Sequence, residues 1–169
     1  ILVRTANPEW ESTLRHELAH IAVGLASGGA RVPVWFHEGF AIATAEQWSL
    51  ERAGTMIRAG LSGNIHPFDE LRDRFPPTSS SADLAYAQSF HFVRYVRQEA
   101  GAHVFRDILA DVREGATWDA AFLDHVGQPE TVMASTWERY VTTRYKWAPA
   151  TLGGGGAWGL AAGLMMIGW

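Results

Sequence analysis

The sequence predicts a mainly helical domain with at most a minimal sheet. Three observations carry that expectation. Apolar residues recur at helical spacing along most of residues 1–147, and glycine and proline stops separate the periodic stretches. The one segment that reads as a strand is residues 1–5, Ile-Leu-Val-Arg-Thr. At 169 residues the chain is long enough for one domain with a real core, and it contains no internal repeat.

The first helix is marked at both ends. Asn7 offers an N-cap, Pro8 suits the first helical position, and Glu9 puts an acid in the first turn. Gly28 and Gly29 stop it. Within it Leu14, Leu18, Ile21, Ala22 and Leu25 recur at helical spacing, which predicts an amphipathic helix largely buried. After the short connection Arg31-Val32-Pro33, a second helix is expected from near Pro33 to about Ala53, antiparallel to the first and stopped at Gly54. A loop then leads to a short helix start at 67–71, and 76–81 is the clearest loop in the chain. Ser81 or Asp83 is positioned to cap the next helix, which carries Tyr86, Phe90, Val93 and Val96 and ends near Gly101. Three more helical stretches, roughly 102–114, 117–126 and 129–147, are separated by Gly115 and by Gly127-Gln128-Pro129.

Chemistry concentrates in the first helix, where residues 16–20 read His-Glu-Leu-Ala-His. Two histidines four apart leave a helix on one face, one turn apart, a spacing that suits two nitrogen ligands of a tetrahedral Zn²⁺. Glu17 sits about 100° round the axis, bordering the metal, where it can take a proton from water as a general base. The bland reading is a surface helix with solvated or packed histidines. The apolar neighbours argue against it, because buried imidazoles need partners.

Two histidines leave a metal under-ligated. The segment 34–41, Val-Trp-Phe-His-Glu-Gly-Phe-Ala, offers Glu38 eighteen positions after His20, and an antiparallel second helix brings it alongside. His37 is the rival, since imidazole is an equally good zinc ligand, and helical neighbours point about 100° apart, so one of the pair faces the metal. His66, His91, His103 and His125 stand apart from any such pattern and read as surface or structural residues.

Composition limits the alternatives. A net charge of -4 gives no electrostatic case for nucleic acid. With no cysteine, disulfides and thiolate zinc sites are both excluded, so metal ligands must be His, Asp or Glu. The chain begins at Ile1 within an apolar run, which reads as an N-terminally truncated or processed form. Residues 152–169 carry no charge and would span about 27 Å as a helix, close to a ~30 Å hydrocarbon core. Trp147 and Trp169 stand near its two ends, where interfacial aromatics belong. The expected organisation is a domain over 1–147 followed by a C-terminal transmembrane anchor over 148–169. The bland reading of those last residues is a glycine-rich tail or a buried hairpin.

The HELAH motif followed by Trp35-x-x-Glu38-Gly39-x-Ala41 resembles the gluzincin zinc metallopeptidases, most closely the peptidase MA-like domain family, over about residues 10–145. The resemblance implies a zincin-like helical catalytic domain in which Glu38 is the third zinc ligand and His37 its neighbour. His37 departs from the pattern, standing where aminopeptidases of the superfamily usually carry asparagine. A tyrosine or histidine on a later helix stabilises the oxyanion in that superfamily, and the segment 85–90 is similar to the start of such a helix, which maps the role onto Tyr86. A phenol is a suitable neutral donor, though a buried tyrosine with one hydrogen bond looks the same in sequence. The superfamily normally places a small sheet before the HExxH helix, and most of it is expected upstream of Ile1. Domains of this kind often work outside the cytoplasm, which implies the extracytoplasmic side of a bacterial inner membrane. The expected activity is zinc-dependent hydrolysis of a peptide or protein. A membrane-associated zinc-binding domain without turnover and a structural helical domain with a chance motif are the alternatives.

Overall fold

The computed structural model describes residues 8–46 and 50–151. The strand expected at 1–5 and the uncharged run at 152–169 lie outside them. Among the described residues the chain forms helices α1 (Pro8–Ala26), α2 (Val34–Thr44), α3 (Leu50–Ser62), α4 (Ser79–Ala100), α5 (Val104–Arg113), α6 (Trp118–Val126) and α7 (Glu130–Thr151), and no strand. None of these helices is long and apolar enough to cross a membrane.

The start and stop signals explain most boundaries. Gly28 and Gly29 adopt φ of +64° and +77°, a left-handed conformation that ends α1 and that side-chain-bearing residues rarely take. Thr117 caps α6 by accepting from the Ala120 N–H at 3.2 Å, and Gly127 closes it in the left-handed region. Three expectations fail here, one of them at α4, which starts at Ser79 with Thr78 at its N-cap and is not capped by Ser81 or Asp83. The second helix does not run to Ala53: α2 ends at Thr44, Glu46 turns left-handed with φ of 54°, and a separate α3 runs through Gly54 to Ser62. The residues at 67–71 form turns instead of a helix start, with the Pro67, Phe68 and Asp69 carbonyls accepting from the N–H groups three residues on. Leu71 and Arg72 accept from the Trp35 and Val34 N–H groups, capping α2, whose N-terminus receives no side-chain cap.

Helix α2 is the centre of the fold. It packs between α1 and α4, and Trp35, Phe36, Gly39, Ala41 and Ile42 are buried. Trp35 is fully buried, with the rings of Phe36, Phe68, Phe92 and Trp118 at centroid distances of 4.9–6.0 Å. Such a cluster contributes apolar burial plus edge-to-face ring contacts. Gly39 is required where α2 crosses α4, since a Cβ there would lie 2.3 Å from the Ser89 carbonyl oxygen.

The first helix faces the other way from expectation. Trp10, Leu14, Leu18, Ile21 and Leu25 are 43–70 % exposed, and no described residue covers that stripe. The inward face carries Ala19, Val23 and Ser27, all buried, together with the half-buried His16 and His20. Periodicity located a face but not its partner. Small side chains on the histidine side let α1 approach α2 closely, and that approach turns the larger residues outward.

Candidate metal centre

His16 and His20 lie mid-helix on α1, and Glu38 projects from the second turn of α2. The approach of the two helices brings the three side chains together, with ligand atoms within 4.8 Å of one another. His16 Nε2 and His20 Nε2 are 3.0 Å apart. Glu38 Oε2 is 3.6 Å from the first and 3.8 Å from the second. Those three separations bracket the roughly 3.4 Å between donors on a tetrahedral ion with bonds of about 2.0–2.1 Å. The side chains are 17, 23 and 21 % exposed, so the group is largely enclosed but reachable by solvent. Two imidazoles and a carboxylate are a donor set that fits Zn²⁺, and three protein donors leave a fourth position open.

His37 takes a different place from the one its rivalry with Glu38 suggested. Its Nδ1 lies 2.7 Å from His20 Nδ1, with the two rings stacked at 4.9 Å. His20 therefore presents Nε2 to the cluster while His37 holds the opposite ring nitrogen. A partner on the remote nitrogen fixes the tautomer and orientation of a ligating imidazole. Burial, followed by the neighbouring His20, pushes the His37 pKa below its ordinary value.

Glu17 is exposed on α1, next to His16. Tyr86 is half-buried near the start of α4, its ring edge-on to Phe75 at 4.9 Å. Burial, and then the negative charge of Glu38, raise the Tyr86 pKa, so the phenol keeps its proton and the influence of Glu38 reaches it.

The remaining histidines are less isolated than the sequence suggested. His66 Nε2 contacts Ser81 Oγ at 3.0 Å, and His91 Nδ1 accepts from the Trp137 indole at 2.9 Å. His125 lies 2.8 Å from Asp111 and, with Asp124, forms a second group of potential ligands between α5 and α6. Asp124 is exposed, the other two are partly buried, and the contact between His125 and Asp111 is accounted for as an ion pair.

A residue with no motif signal emerges against the start of α2. Glu130, 5 % exposed at the start of α7, accepts from the indoles of Trp35 at 3.2 Å and Trp118 at 2.6 Å. Arg72 approaches the same carboxylate at 3.4 Å. Burial raises the Glu130 pKa, opposed in turn by Arg72 and the two indoles. In sequence it reads only as an acid in a first helical turn, and its indole partner Trp35 lies 95 residues away.

A helical domain that gathers two histidines of an HExxH helix and a glutamate of the next helix belongs to the metallopeptidase-like class. Residues 1–143 match the family model of the peptidase MA superfamily, and the chain belongs to that superfamily. No curated protein and no solved structure gives a match.

Proposed function

We propose that this domain is a zinc-dependent peptidase acting on peptide or protein substrates, with His16, His20 and Glu38 as its metal ligands. The observation that carries this is the triangle of His16 Nε2, His20 Nε2 and Glu38 Oε2, with sides of 3.0, 3.6 and 3.8 Å. Zinc bound there would supply Lewis acidity, polarising a peptide carbonyl and lowering the pKa of water.

The chain's own groups supply the rest. Glu17 accepts a proton from the attacking water and returns it to the leaving amine as the C–N bond breaks. It follows His16 directly in the chain and is exposed on α1. Tyr86 donates its hydroxyl hydrogen to the carbonyl oxygen as negative charge grows there, and its raised pKa keeps that hydrogen in place at neutral pH. His37 orients His20 through the Nδ1–Nδ1 contact.

The test is metal analysis combined with hydrolysis of a quenched peptide library. One zinc per chain and cleavage abolished by a chelator and restored by zinc support the reading. Zinc without cleavage points to the binding domain without turnover, and no zinc at all overturns the site. The uncharged run over 152–169 supports a tether to a membrane, and the resemblance to peptidase MA-like domains is what favours the extracytoplasmic face of a bacterial inner membrane. Truncation near Ala150 should then remove any need for detergent, whereas full-length protein that stays monomeric without detergent overturns the tether.

A further inference from the structure

Helix α2 has no side-chain cap at Pro33, yet its first turn is tied down on several sides. The Val34 and Trp35 N–H groups donate to the Arg72 and Leu71 carbonyls at 2.9 and 3.1 Å. The Arg72 guanidinium turns back to Glu130 Oε1 at 3.4 Å, and the same oxygen accepts from the Trp35 indole at 3.2 Å. A closed circuit results: α2 backbone to Arg72, Arg72 to Glu130, and Glu130 to the Trp35 side chain of α2. The other carboxylate oxygen reaches Trp118 on α6 at 2.6 Å, and Asp119 holds Arg72 from outside at 2.8 Å. Glu38 follows Trp35 by three residues, a rise of about 4.5 Å along a rigid helix. A shift or roll of the first turn is therefore transmitted to Glu38 almost undiminished.

We infer that Glu130 is a positioning residue of the metal centre: through Trp35 and Arg72 it fixes the seating of α2 and so the approach of Glu38 to His16 and His20. This rests on the zinc reading above. It gives a reason for a buried carboxylate where an apolar side chain would have been easier to bury. A carboxylate with two oxygens can hold three directional donors from three elements at once, which apolar packing cannot do. The Trp35 indole hydrogen is then the direct link from Glu130 to α2, whereas the Trp118 hydrogen anchors Glu130 to α6.

The test is zinc affinity, measured on the full chain by competition with a chromogenic chelator, with folding followed by circular dichroism in the same samples. Three variants are compared: Glu130→Gln, Trp35→Phe and Trp118→Phe. Glu130→Gln keeps one acceptor oxygen but sets an amide N–H₂ against the other donors. Each phenylalanine keeps a ring and deletes one indole hydrogen. With the helical signal retained, Glu130→Gln and Trp35→Phe should each weaken zinc binding about 10-fold, at the lower end of what outer partners of metal sites contribute. Trp118→Phe should weaken it much less, although its hydrogen bond is the shorter. A purely structural role gives the reverse order, with any loss following stability and greatest for Trp118→Phe, and that result overturns the inference. Unchanged affinity in all three variants, with lowered melting temperatures, also overturns it. If Glu130→Gln does not fold, the ordering of the two phenylalanine variants still decides. Wild-type protein that binds no zinc removes the metal reading itself, and this inference with it. Zinc bound equally by wild type and variants removes the inference alone.

Discussion

Glu38 and Glu130 are two carboxylates set against the same helix, one on α2 itself and one reaching it from α7. Glu38 is about one-fifth exposed, and its nearest side-chain nitrogens, at 3.6 and 3.8 Å, lie beyond ordinary hydrogen-bond distance. Glu130 is almost fully enclosed and accepts from two indoles, with a guanidinium at 3.4 Å. The same functional group is thus used in two ways. Around Glu130 the fold supplies donors that hold a charge in place. Around Glu38 it supplies two imidazole nitrogens, electron-pair donors like the carboxylate itself. A set of donors facing one another is the chemistry of a cation site, and a carboxylate ringed by N–H groups is that of a structural joint.

The largest effect should come from Glu38. Glu38→Ala removes one of three proposed ligands and is expected to weaken zinc binding by more than the roughly 10- to 100-fold typical of outer partners. His37→Ala, which removes only the contact to His20 Nδ1, should fall within that range, as read by chelator competition. Equal losses in the two variants would erase the distinction between ligand and orienting partner.

Glu17→Gln sharpens the contrast between binding and turnover. Zinc content should stay at the wild-type level while the rate of peptide cleavage falls by about 10²-fold or more, the scale of general-base contributions. An unchanged rate takes Glu17 out of the mechanism.

Gly39→Ala probes the seat of α2 from its α4 side. The added Cβ meets the Ser89 backbone at 2.3 Å, and backbone cannot swing aside as a side-chain tip can. A loss of about 3 kcal/mol in denaturant unfolding is expected, at the upper end of overpacking costs. A loss below about 0.5 kcal/mol would mean that the α2–α4 crossing is loosely held, and with it Glu38.

The smallest effect concerns another satisfied polar group, His91. Burial, then the charges of Arg94 and Arg144, depress its pKa to about 4, and its Nδ1 accepts from Trp137. The unfolded chain takes up this proton near pH 6.5, while the folded chain resists until about pH 4. Stability from His91 is therefore fully present above pH 6.5 and drains away as pH falls between those values. The loss has an upper bound of about 3 kcal/mol, and solvent screening by the partly open ring will reduce it. His91→Gln keeps an acceptor for Trp137 but cannot titrate, so the acid slope of its melting temperature should flatten. Glu130 has the opposite sign: its raised pKa makes ionisation costly as pH rises past the usual carboxylate range.

Much of the candidate site was legible because its signals are local. Four-residue spacing places His16 and His20 on one face of any α-helix, and the helix ends were written in Asn7-Pro8 and Gly28-Gly29. The mainly helical class followed from the same periodicity, as did α5, α6 and the start of α7 to within about two residues. The break between α2 and α3 was not legible: the helical reading ran on to about Ala53, and Glu46, a residue with no special turn propensity, adopts a left-handed φ just after α2.

What the sequence determined by itself, then, was the chemistry within reach of one or two helical turns: which residues share a face, where helices stop, and that no cysteine could serve a metal. What only the tertiary structure decided was who meets whom across helices. It turned the apolar stripe of α1 outward and the histidines inward. It set His37 behind His20 and Glu38 in front of it, although the two residues are adjacent in the chain. It also brought Glu130 to Trp35 across 95 residues. Local periodicity follows from the fixed geometry of one helix, whereas these pairings depend on how side-chain sizes let several helices approach, a sum over the whole core that no short window of sequence contains.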